Sequence, residues 1–64
     1  MSHHSAAPVV EEMTRYMVME SLRQTGIELN RMWARSVQAG NDDAIQYAEA
    51  SQAVYRALVV LRAH

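Results

Sequence analysis

Glu20 stands between apolar positions on either side, Met17 before it and Trp33 beyond. A carboxylate set in such a stripe is the first place to look for chemistry. Inside a helix bundle it could bind Arg23, bind a residue of a partner, or ligate a metal; the plain reading is a solvated charge on a helix surface. An enzyme would require an interfacial site assembled from Glu20, Tyr16 or Tyr47 with an added cofactor. Arg31 and Arg35 lie four residues apart and Arg23 extends them backward, which makes one compact cationic patch. Such a patch suits an acidic partner or a nucleic-acid backbone, whose phosphates need clustered positive charge. Glu28 partly offsets it. Trp33 is the largest apolar side chain, expected in the core beside Leu29, Val37 and Tyr55, or else as an anchor in a partner's groove.

Catalytic motifs are missing from this set. The sequence holds no HExxH, no glycine-rich phosphate loop and no cysteine. Its histidines are His3, His4 and the terminal His64, so the interior of the chain has none for proton transfer. Two adjacent histidines do not make a metal site. A diiron bundle needs Glu-x-x-His pairs, and their histidines are absent. The sequence therefore predicts no catalytic residues, no metal and no cofactor.

The bulk properties agree. A chain of 64 residues holds one domain at most, and a monomer that short buries a modest core. Yet half of its residues are hydrophobic and only one is proline, which argues against disorder. Association resolves the mismatch: a second copy, with a dimer favoured, or a larger protein covers the surplus apolar surface. Six arginines are scattered among seven carboxylates for a net charge of −1, which disfavours a nucleic-acid partner. No apolar run approaches membrane-spanning length, and the opening MSHHSAAPVV lacks the features of a signal peptide. A cytoplasmic location fits.

The elements that must position these residues are helices. Residues 1–7 read as a tail, and residues 8–64 as a single helical domain. Pro8 suits a first helical turn. Glu11 and Glu12 follow at the end that favours negative charge, and Glu11 can reach Arg15 one turn on. AGNDD, residues 39–43, is the clearest turn: Gly40 can take the left-handed conformation that closes a helix, and Asp43 has capping-box spacing to Gln46. A second helix then runs over about 43–62, with Ala44, Tyr47, Ala48, Ser51, Val54, Tyr55, Leu58 and Leu61 on one face. That face is small near the turn and bulkier farther on.

The first segment carries two apolar stripes. Val9, Val10, Met13, Tyr16 and Met17 share one side; Leu22, Leu29, Trp33 and Val37 share another, nearly half a turn away. Coiled-coil drift, roughly 20° per heptad, is too small to connect them. Either one long helix, straight or kinked, over about 9–38 presents two faces to two neighbours, or the helix breaks near Thr25–Gly26, with Thr25 and Glu28 as a capping box. Gly26 lies on the Leu22–Leu29–Trp33 side, where a close helix crossing would leave no room for a side chain. Because the stripe changes around Met17–Met19 and not at Gly26, the long helix is the better expectation. The expected fold is an all-α helical hairpin that pairs into a four-helix bundle, with a three-helix domain as the alternative.

The function to expect is a protein–protein interaction, regulatory or assembly module without catalysis. Its candidate interface residues are Met13, Met17, Leu22, Gly26, Leu29, Trp33, Val37, Tyr55 and Leu58. Adaptable methionines favour a binding role. The alternative is a helix-turn-helix DNA-binding regulator using Arg23, Arg31 and Arg35. Against it, Asp42 and Asp43 open the helix that would read the bases.

Overall fold

Two helices joined by a three-residue turn account for almost all of residues 6–63, which the computed structural model describes. Helix α1 spans Ala6–Ala39 and helix α2 spans Asp43–Arg62. They pack antiparallel as a hairpin. The predicted tail falls partly, and His3, His4 and His64 wholly, outside the described residues. Because α1 begins at Ala6, Pro8 lies in its first turn, where a missing N–H breaks no helical bond.

α1 does not break at Gly26, and the three-helix alternative is not what forms. The Thr25 hydroxyl shows why. It donates to the carbonyl of Ser21 at 2.9 Å, bonding back into the preceding turn, so it caps no new helix. Glu28, the other half of the expected box, accepts a hydrogen bond from Arg31 at 2.9 Å. Arg15 likewise pairs with Glu12, at 3.9 Å, and not with Glu11.

The turn closes as the glycine predicts. Gly40 has φ +72°; its N–H donates to Val37 at 3.1 Å, and the Asn41 N–H donates to Ser36 at 2.9 Å. This pair of bonds is the Schellman arrangement, which satisfies carbonyls that the helix end would otherwise orphan. The start of α2 differs from expectation. Asp42 takes the cap position with helical backbone angles and makes no side-chain cap hydrogen bond. A side-chain cap wants an extended residue there, so the Asp43–Gln46 box is not built. The N–H groups of Ala44 and Ile45 instead reach the carbonyls of Asn41 and Asp42, at 3.4 and 3.3 Å. Asp43 remains useful as a negative charge in the first turn.

Between the helices, the α1 positions Met19, Leu22, Gly26, Leu29, Trp33 and Ser36 advance in alternating steps of three and four. On α2, Ala44, Tyr47, Ser51, Val54, Leu58 and Leu61 do the same. That spacing is a coiled-coil seam. Two contacts fix the alignment. A methyl group added at Gly26 would meet Val54 Cγ1 at 3.6 Å, and the Ser51 hydroxyl donates to Asn30 Oδ1 at 3.1 Å. Advancing from 26 to 30 on α1 thus steps back from 54 to 51 on α2. On α2, Ala44 and Ser51 flank Tyr47 toward the turn, and Leu58 and Leu61 lie toward the open end. The core is thin: among the described residues Leu58 is the one buried apolar side chain, at 8% exposure, with Ser36 buried beside the turn at 7%. The molecule measures 60 × 15 × 11 Å, and among the described residues no second layer covers either broad face.

Candidate functional site

The uncovered surface has an order that a single hairpin does not need. On α1, Met13, Tyr16, Glu20, Arg23, Ile27, Asn30, Ala34 and Val37 again advance by fours and threes; on α2, Ile45, Ala48, Gln52, Tyr55, Val59 and Arg62 advance by threes and fours. Each helix therefore carries a second, outer seam beside the one that closes the hairpin. Both outer seams lie on the same broad side. One groove between the helices is lined by Arg23, Ile27 and Asn30 from α1 and by Tyr55 and Arg62 from α2, with Gly26 and Val54 at its floor. Met13, Tyr16, Val37, Ile45, Tyr55 and Val59 are all exposed, Tyr55 to 64%.

The candidate interface residues divide accordingly. Leu22, Gly26 and Leu29 are half-buried and Leu58 buried, inside the hairpin contact. Met13, Val37 and Tyr55 belong to the outer seam. Met17 projects from the far side of α1 at 67% exposure. Trp33 sits on the inner seam yet keeps 43% of its surface exposed; Tyr47, the α2 residue level with it, lines the recess with Met32 and Ser36 and does not enclose the indole. Tyr55 is not its neighbour; it lies beside Gly26 and Ile27, farther from the turn.

The charged candidates are largely satisfied within α1. Arg23 pairs with Glu20 at 3.0 Å and Arg31 with Glu28 at 2.9 Å, each one turn apart. The hydrogen bond from Arg23 to Glu20, then that carboxylate's charge, raises the arginine's pKa further, so Arg23 stays cationic at any working pH. Arg35 lines a shallow recess at the turn end with Met32, Ser36 and Tyr47. Tyr47 is thus at the turn, away from Glu20 and Tyr16 in the first half of α1, and one chain does not gather the three. Among the described residues no three His, Asp or Glu side chains cluster to hold a metal, and no helix is long and apolar enough to cross a membrane.

The outer seam is what the sequence reading missed. Its signal is the unbroken four–three spacing from Met13 to Val37, masked by Glu20, Arg23 and Asn30, which interrupt the apolar run. The apparent jump of the stripe near Met17–Met19 is the inner seam beginning at Met19 beside an outer seam already under way. No family model, curated protein or solved structure matches the chain.

Proposed function

We propose that this chain is a small interaction module, regulatory or assembly-accessory in role, that works by packing its outer seam against helices of another protein surface. It performs no chemistry of its own. One observation carries this reading: each helix has two parallel seams and the hairpin occupies only one. A helix in a four-helix bundle uses two, one for each neighbour, so the natural complement is a further pair of helices. The eleven large hydrophobic side chains left exposed among the described residues form more apolar surface than a hairpin core with one buried leucine can offset. Nucleic acid is the poorer occupant, because Glu20 and Glu28 already neutralise two of the three clustered arginines. A chain without cysteine suits a reducing compartment, and the reading places it in the cytoplasm.

The test inserts charge into the outer seam at exposed positions, Tyr55→Glu with Val59→Glu, and checks by circular dichroism that the helices persist. Wild-type protein should make a protein contact, with itself or with another chain, that the variant loses. Equal behaviour of the two in sedimentation and in affinity capture from native extract would sink the reading.

A further inference from the structure

We infer that the occupant of the outer seam is a second copy of this chain, laid antiparallel so that α1 packs on the partner's α1. The inference rests on the interaction reading above and names its partner. Three observations select it.

The first is charge. Glu20 and Arg23 interrupt the outer seam of α1 near its centre, with side chains 42% and 53% exposed. If two α1 helices run antiparallel about a two-fold axis between Ser21 and Leu22, Glu20 faces the partner's Arg23 and Arg23 faces the partner's Glu20. The same alignment sets Tyr16 opposite the partner's Ile27. A parallel pairing of α1 helices would set glutamate on glutamate and arginine on arginine, which is repulsive. The seam is therefore complementary to itself in one direction only.

The second is length. α1 has 34 residues and α2 has 20, so α2 covers little more than half of α1. Another α1 matches it. The midpoint of Ala6–Ala39 falls within one residue of the charge-defined axis, so this pairing overlaps nearly the whole helix and brings the partner's turn-end half beside Met13 and Tyr16.

The third is area. The chain exposes 5183 Å², whereas a folded monomer of this mass exposes about 4,100 Å². Elongation accounts for the excess of about 1,000 Å², and closing one face on a second copy would remove it; each partner in an ordinary stable interface buries about 800 Å².

Complementary variants test this directly. Glu20→Arg and Arg23→Glu each place like charges across the axis, so each alone should weaken self-association about ten-fold. Mixed together they restore opposite charges between chains, although each chain's own helix keeps its like-charged pair. Recovery of wild-type association in the mixture, read by sedimentation, is the expected result. A role confined to the single helix would give no recovery and overturn the inference. Because the chain has no cysteine, disulfide trapping reads direction: a mixture of Tyr16→Cys and Ile27→Cys chains should form the 16–27 cross-link in preference to 16–16 or 27–27. Predominant 16–16 and 27–27 links would overturn the antiparallel pairing. A folded wild-type monomer at about 100 µM, well above the dissociation constant of an ordinary homodimer, would overturn the inference while leaving the interaction reading to its own test.

Discussion

Single residues decide where this chain turns and how tightly its helices meet. Gly40 holds φ +72°, a conformation that costs an L-residue about 1–2 kcal/mol. Nothing lies within 4 Å of the position a Cβ would take there, so the penalty of Gly40→Ala is backbone strain alone. Urea denaturation at fixed protein concentration should show a loss of about 1 kcal/mol; an unchanged midpoint would mean that the turn is not what stops α1. Leu58 is the contrasting case, since its cost comes from packing. As the buried leucine of the hairpin, it should lose about 2–3 kcal/mol on Leu58→Ala. Ser51→Ala, which removes the hydroxyl donated to Asn30, should cost less, about 1 kcal/mol or under, because Asn30 is exposed and water replaces the lost partner. The order of those two effects, measured in the same denaturation series, checks that apolar packing outweighs the cross-helix hydrogen bond.

At the scale of the helix, Gly26 is the instructive position. Its side of the helix was legible in the sequence, and so was the continuity of α1, because the stripe shift does not coincide with it. The expectation that a close crossing would exclude any side chain is corrected by the geometry: an added methyl would meet Val54 Cγ1 at 3.6 Å, an ordinary contact. Gly26→Ala should therefore gain helix propensity at no steric cost, stabilising the hairpin by up to about 1 kcal/mol. A loss of stability would show that the helices approach more closely than this spacing. The turn was legible for a similar local reason, since a glycine after an apolar-periodic run has few other uses. The outer seam was not legible, because Glu20, Arg23, Asn30, Gln52 and Arg62 disguise a heptad as a solvated face. Their spacing reads as a seam only once the groove shows Arg23 and Asn30 on the same side as Tyr55. The exposure of Trp33 has a tertiary cause: its stripe position was clear, but which α2 residue stands level with it depends on the alignment of the helices.

For the whole molecule the question is whether folding and association are one event. A two-helix layer 11 Å thick, with Leu58 as its buried apolar residue, has little of its own to set against the entropy of ordering two long helices. If the outer seam completes the core, the folded state is a dimer and the unfolded state is two separate chains, so dilution favours unfolding by mass action. Each ten-fold dilution then removes about 1.4 kcal/mol from the dimer, a shift in melting temperature of roughly 5 °C for a two-chain unit of this size. Thermal unfolding followed by circular dichroism over a hundred-fold range of concentration should show the midpoint falling by roughly 10 °C in total. Tyr55→Glu with Val59→Glu should lower the midpoint at every concentration and flatten that dependence, because the variant no longer gains from a second copy. A midpoint independent of concentration in the wild-type protein would mean that the hairpin is stable alone, and that the outer seam contributes nothing to the fold.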